Sequence, residues 1–339
     1  MNVKRFLPLA LLGSYWLITP ATHAQSDDTP IADQSVAGMK KADAAIIDKA
    51  KKLIDEKKLL SHKEMKKQVL KPQPRAIELK PISTQPLPLE EVSATARKAN
   101  LRVGYCYLCP RCDNWHLNLA GGYPIAKDVV ATCDHVVDTK IDMREGYLIV
   151  ADHEGNVYPV TSILARSVAM DAALIHCAGA EFTPLALHGA ARQGTAAYCY
   201  STPMGQQQYF SDGLINRFFW NQKYLGGDKN QLDAARHLRV NFSTDWAPGS
   251  SGSAVVDQCG NVLGHVSQIS ALSKDRTTSA YLTLHTGIPA QGVKLLAEAC
   301  QNPEDITRLC TLEAKENPVK KNDGKEKPAS TSKPEGKDK

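Results

Sequence analysis

Apolar residues along the middle of the chain fall in short runs: WHLNLAGGY, VVATCDHVV, GYLIVADHEGNVYPV, AALIHC, AAYCYS, NVLGHVS and AYLTLH, with Gly, Pro, Asn or Asp between them. Runs of this length and punctuation suit strands of an antiparallel sandwich or barrel. They define a folded unit over residues 95–312. Helical patterning is confined to three places: PAQGVKLLAEA at 289–299, a short segment at 303–310, and residues 38–70. In the last of these Ile46, Leu53 and Leu60 recur every seven residues with Lys and Glu between them, which predicts one helix.

Residues 71–89 contain Pro72, Pro74, Pro81, Pro86 and Pro88 and read as an extended linker. Residues 25–94 are thus expected to form a helical segment followed by a Pro-rich connection. Residues 313–339 are Lys, Glu, Pro and Ser with almost no apolar side chains. Such a tail cannot bury enough surface to fold.

Composition narrows the class. The chain has 339 residues, 42% of them hydrophobic, enough for one large domain or two small ones plus tails. The formal charge of +5 is modest, and no basic block is interleaved with aromatics, which argues against a nucleic-acid partner. Lys4 and Arg5 precede an apolar run from Phe6 to Ile18, and Thr22-His23-Ala24 offers a cleavage site. A signal peptide over 1–24 is expected, hence a periplasmic or secreted mature protein. The run is shorter than the roughly 20 apolar residues of a spanning helix, and no later stretch is apolar enough to span.

Nine cysteines in an exported chain raise the question of disulfides. Cys106, Cys109, Cys112 and His116 give C-x2-C-x2-C-x3-H. Thiolates and imidazole suit a tetrahedral zinc site, and oxidation to disulfides is the alternative that export favours; both uses stay open. Cys300 and Cys310 flank a short C-terminal segment and can pair. Cys133 and Cys177 sit in apolar runs and read as buried thiols.

The stretch 247–255 reads APGSSGSAV. Ser251 lies in G-S-S-G-S, which departs from the G-x-S-x-G elbow of α/β-hydrolases because Ser253 stands where glycine is needed. The form G-x-S-G before an apolar strand resembles instead the nucleophile loop of trypsin-like serine peptidases of the chymotrypsin fold. Upstream, VVATCDHVVD at 129–138 resembles the family's base motif, with His135. MDAALIHC at 170–177 resembles the segment carrying the orienting acid, with Asp171. FSDGLINRFF at 210–219 and NVLGHVSQ at 261–268 resemble two further strands of the family, the second lining the substrate groove. The order His, Asp, Ser is that of the chymotrypsin group, and the resemblance covers roughly residues 100–295.

The resemblance implies a mainly β fold of two six-stranded antiparallel barrels with a C-terminal helix, preceded here by the helical N-terminal segment. It implies His135 as general base, Asp171 as its orienting acid, Ser251 as nucleophile, and the N–H groups of Gly249 and Ser251 as the oxyanion hole. It places Ser267 and Asp245 at the substrate. Asp245, six residues before Ser251, has the offset of trypsin's primary-pocket aspartate, which would favour Lys or Arg; an outward-turned side chain is the other reading, with Trp246 and Ile269 narrowing the pocket. It also implies a Cys199–Cys259 disulfide, although Cys259 falls two residues past the family's usual partner position. Ser250 replaces the aspartate that digestive members pair with a new N-terminus, and no I-V-G-G start is present. The motif style is closer to bacterial secreted glutamyl-type and HtrA-like peptidases, with no room for a PDZ domain after the fold.

The expected function is an exported serine endopeptidase acting on peptide or protein substrates through an acyl-enzyme, without a cofactor. A catalytically silent binding module of the same fold and a serine esterase are the alternatives. The 38–70 helix could serve self-association, docking, a propeptide or a solvated spacer.

Overall fold

The computed structural model describes residues 31–224, 226, 230–273 and 279–316. The expected signal peptide lies outside the described residues, as does the tail from residue 317 onward. Six strands, β1 (Leu101–Leu108), β2 (Trp115–Ala126), β3 (Val129–Thr132), β4 (Glu145–Ala151), β5 (Val157–Ser167) and β6 (Ala172–Cys177), close into a barrel in the order β1-β2-β3-β6-β5-β4. Six more, β7 (Ala196–Ser201), β8 (Tyr209–Trp220), β9 (Leu238–Phe242), β10 (Ala254–Val256), β11 (Val262–Leu272) and β12 (Leu282–Pro289), close in the order β10-β11-β12-β9-β8-β7. Every strand pair in both barrels is antiparallel.

The two-residue period of a strand sorts the side chains. Leu101, Val103 and Tyr105 fill the first barrel with Leu148, Val150, Ile163 and Ile175. Cys106, Ile149 and Ala151 take the outer face. The second barrel is filled by Cys199, Ile215, Phe242, Trp246, Val255 and Leu263. A third cluster lies between the barrels, where Tyr123, Ile125 and Val129 meet Val256, Val262 and Ile288. Burying one such large apolar side chain contributes about 1.5–3 kcal/mol, so this seam is a major tie between the halves.

From α1 onward the N-terminal segment is bound to the barrels. Helix α1 (Val36–Asp55) lays Ile46 and Ala50 on the outer face of the first barrel. Helix α2 (His62–Leu70) adds Met65 and Val69 to the first-barrel core. The single helix predicted over 38–70 is therefore two. Lys57, with φ of 55°, ends α1, and Ser61 starts α2 with a capping box: its hydroxyl accepts the Glu64 N–H while the Glu64 carboxylate accepts the Ser61 N–H.

The Pro-rich connection is extended, as its composition predicts, and it is stitched down. Gln73 N–H donates to Ile163 O in the first barrel at 2.7 Å. Asn261 bonds both backbone groups of Ser83, and Leu87 N–H donates to Gln258 O, both in the second barrel. Ile77 is buried in the seam between them. Helix α3 (Leu89–Ala99) follows and buries Val92, Ala96 and Ala99 in the same seam. Two short helices, α4 (Asp134–Val137) and α5 (Gln231–Ala235), lie within the barrels' connections. At the C-terminus α6 (Ala290–Ala299) occupies the expected 289–299 segment, while α7 (Pro303–Glu316) runs past the predicted stop at 310.

Candidate active site

His135 stands on α4, the single helical turn after β3. The turn is anchored by its neighbour: buried Asp134 accepts two bonds from Arg166, at 2.6 and 2.7 Å. Asp171 occupies the tight turn between β5 and β6, with φ of 61°, a left-handed backbone that Asp tolerates better than most residues. The two meet. His135 Nδ1 is 2.9 Å from Asp171 Oδ1 and 3.1 Å from Oδ2, and the His135 backbone N–H also donates to Oδ1 at 3.2 Å.

The second barrel supports the carboxylate from behind. Ser267 Oγ–H donates to Asp171 Oδ2 at 2.5 Å. A bulge makes this possible. Val266 pairs with Gly287 and Gln268 with Thr286, which leaves Ser267 unpaired and turned toward the first barrel. Two residues earlier, His265 is wholly buried. Its Nε2 donates to Asp171 O at 3.2 Å and its Nδ1 accepts from Tyr123 Oη at 3.3 Å. Burial pushes the His265 imidazole down to about 4, so it stays neutral and keeps this tautomer.

Electrostatics at the pair follow from these contacts. The hydrogen bond to Asp171 raises the His135 imidazole above its ordinary value, against the desolvation that would lower it. Burial alone would push Asp171 up; the bonds from His135 and Ser267 together outweigh it and hold the carboxyl below its usual range. Cys133 lies beside them, its Sγ within 4.8 Å of the His135 and Asp171 donor atoms. Its thiol donates to Val266 O at 3.0 Å, and burial raises it well above the ordinary thiol value.

The stretch 247–253 forms a tight turn against both barrels. Ser250 N–H donates to Ala247 O and Ser253 N–H to Ser250 O. Gly252 N–H donates to Val266 O, while Ser251 O accepts from Gly121 N–H at 2.7 Å, across the seam. Glycine is required twice. Gly249 has φ of 100°, and Gly252 has φ of 84° with no space for a side chain: a Cβ there would lie 2.3 Å from Gly121 O. The same packing sets Gly252 against Thr132 and Cys133, three and two residues before His135.

The three serines of the turn differ. Ser250 Oγ is buried and donates to Ser201 Oγ; Ser253 Oγ is buried and donates to Asn100 Oδ1. Ser251 is half-buried, and its hydroxyl has no hydrogen-bond partner among the described residues. The N–H groups of Gly249 and Ser251 are likewise without a partner there, as is His135 Nε2, on an imidazole that is 51% exposed.

The sequence model of the trypsin-like peptidase domain family matches residues 121–264. Over those residues the chain is similar to a trypsin-like peptidase domain, and its two closed six-stranded barrels fit the chymotrypsin fold. The match runs from the end of β2 into β11 and contains His135, Asp171 and Ser251. No curated protein matches the chain.

The structure departs from the sequence expectations at several residues. None of the nine cysteines is in a disulfide. Cys199 points into the second barrel, opposite Val255 in the sheet. Cys259 is carried past that register into the turn after β10, where its N–H donates to Asp257 Oδ1. The two-residue offset from the family's position thus moves the thiol out of reach. Cys300 Sγ bonds Leu296 O within α6 and is not joined to Cys310 of α7.

The remaining candidates divide. Asp245 is exposed, with its backbone fastened to Ser211 Oγ, and the neighbouring interior is filled by Trp246 against Phe242 and His285. The outward reading of Asp245 therefore describes it. Ile269 is 42% exposed at the edge of β11. Ser267, expected at the substrate, gives its hydroxyl to Asp171. The sequence reading missed the parts played by His265, Tyr123 and Arg166. A lone His in GHVS carries no distinguishing signal, and the bulge that links this strand to Asp171 is a tertiary feature. Among the described residues no helix is long and apolar enough to cross a membrane.

Proposed function

We propose that the protein is an exported serine endopeptidase that cleaves peptide bonds through an acyl-enzyme on Ser251. His135 Nε2 takes the hydroxyl proton as Ser251 Oγ attacks the scissile carbonyl, and the imidazolium returns it to the leaving amine. Water then hydrolyses the acyl-enzyme, with His135 again the base. The carbonyl oxygen becomes an oxyanion held by the Gly249 and Ser251 N–H groups, each such donor being worth about 10²–10³ in rate. Asp171, fixed by Ser267, keeps the His135 proton on Nδ1 and stabilises the imidazolium.

One observation carries the reading. His135 is bound through Nδ1 to both oxygens of Asp171, while Nε2 stays unengaged beside a turn in which Ser251 alone has an unbonded hydroxyl. Export rests on the pattern of residues 1–24. A fluorophosphonate probe, with cleavage of a denatured protein as second readout, tests the assignment. The parent, Ser250→Ala and Ser253→Ala should label and cleave; Ser251→Ala should do neither. A Ser251→Ala protein as active as the parent overturns it. The missing bond between Ser251 Oγ and His135 favours the silent binding module as second reading, and an unlabelled, folded parent would select it. Turnover of esters without peptides would select the esterase.

A further inference from the structure

The hairpin between β1 and β2 carries three soft donors away from the triad. One donor atom each from Cys109, Cys112 and His116 lie within 4.8 Å of one another. Cys112 Sγ and His116 Nε2 are 3.1 Å apart. Cys106, the first cysteine of the spacing, does not join them; its side chain faces Ile46 and Ala50 of α1.

The loop is held in the shape that gathers these atoms. Cys109 N–H donates to Asn114 O at 3.2 Å, closing the turn. Arg144 braces it from β4's side, through its N–H to Leu108 O and its guanidinium to Asp113 at 2.9 Å. Arg111 N–H points at Cys109 Sγ at 3.4 Å, a donor that favours sulfur in its anionic form. His116 pairs across the hairpin with Tyr107, their rings 5.8 Å apart.

We propose that Cys109, Cys112 and His116 bind one zinc ion, leaving the fourth tetrahedral position to water. With Zn–S of about 2.3 Å and Zn–N of about 2.0–2.1 Å, tetrahedral geometry asks for S···S of about 3.8 Å and S···N of about 3.6 Å. All three donor pairs lie within 4.8 Å, so small side-chain shifts reach this geometry, the Cys112–His116 pair opening by about half an ångström as its S–H···N contact gives way to two metal bonds. Two thiol protons leave as the ion binds. A Cys109–Cys112 disulfide would use both sulfurs and leave the imidazole idle; zinc uses all three donors. The ion would clip the tip of a hairpin whose second strand reaches, five residues and about 17 Å further on, Gly121 at the nucleophile turn.

The test is titration of the reduced full chain with Co²⁺, followed by displacement with Zn²⁺. One equivalent should give the intense visible bands of tetrahedral cobalt with a sulfur charge-transfer band. Cys109→Ser, Cys112→Ser and His116→Ala should each weaken binding by about a hundredfold or more, exceeding the tenfold to hundredfold typical of outer-shell losses. His135→Ala, which removes a donor from the cluster at Cys133, should bind as the parent does. His116 is a surface residue, so its variant keeps the test valid if a cysteine variant fails to fold. Absence of the tetrahedral spectrum, undiminished binding by a folded His116→Ala, or a Cys109–Cys112 disulfide in protein isolated without reductant would each overturn the proposal.

Discussion

Replacing Asp171 by Asn keeps the side-chain shape and removes the charge facing His135 Nδ1. At the 2.9 Å separation, a unit charge pair has a Coulomb energy of about 5.7 kcal/mol at an effective dielectric of 20, and about 2.9 kcal/mol at 40. The half-exposed imidazole belongs between these limits. At about 1.36 kcal/mol per decade, kcat/KM should fall by roughly 10²–10⁴. An amide donating to Nδ1 would also place the imidazole proton on Nε2, where the base must be free, which pushes the loss toward the upper figure. The pH profile separates this cause from simple damage. In the proposed mechanism His135 works as the neutral base, and its imidazole is raised, so the parent's activity should climb with pH through a midpoint above 6.5. In Asp171→Asn that midpoint should drop. Stability moves in the opposite sense: what the raised His135 contributes is complete below pH about 6.5 and is lost as pH rises through the folded value. The assay is kcat/KM against pH on a peptide cut by the parent, with thermal melts at each pH. A variant within tenfold of the parent, with an unmoved acid limb, would refute the role given to the pair.

Gly252→Ala should cost at least about 2 kcal/mol from its left-handed backbone and the contact with Gly121 O, lowering the melting temperature by about 4 °C or more and activity by at least about tenfold; an unchanged melt and rate would show that the close approach is not needed. Ser61→Ala removes the capping box of α2 and should cost about 0.5–2 kcal/mol, seen as a lower melting temperature with kcat/KM unchanged; a melt identical to the parent's would deny α2 a part in holding the first barrel.

The barrel strands and the His135, Asp171, Ser251 order could be read directly, because strand periodicity and short motifs are local properties. The break in the 38–70 helix could also have been read. S-x-x-E at 61–64 is a start signal in the middle of the predicted helix, hidden by the heptad of Ile46, Leu53 and Leu60 that runs through it. The docking of residues 72–88 could not, since proline content fixes the extension of a segment and says nothing of what it lies on. Cys199 and Cys259 failed as a pair for a related reason: the two-residue offset carries Cys259 past the end of β10 into the following turn, out of register with Cys199, and spacing alone does not show where the strand ends. Asp245 shared trypsin's offset without its buried setting, because Trp246 fills the volume beside it. The serines of 250, 251 and 253 were distinguishable only by context in sequence, whereas their hydroxyl partners separate them at once.

The turn that carries Ser251 is bolted to both halves of the molecule: Ser251 O to Gly121 in the first barrel, Gly252 N–H to Val266 in the second. Any breathing of one barrel against the other would pass straight into the position of Ser251, and reactive geometry tolerates only about 0.5 Å of error. The strap of residues 72–88, fastened at Ile163 on one side and at Gln258 and Asn261 on the other, lies across that motion. Fastened on both sides, it would resist that motion. The residues that bear on the alignment of Ser251 thus include some that never approach it, in a segment whose composition gives it the look of mere tether.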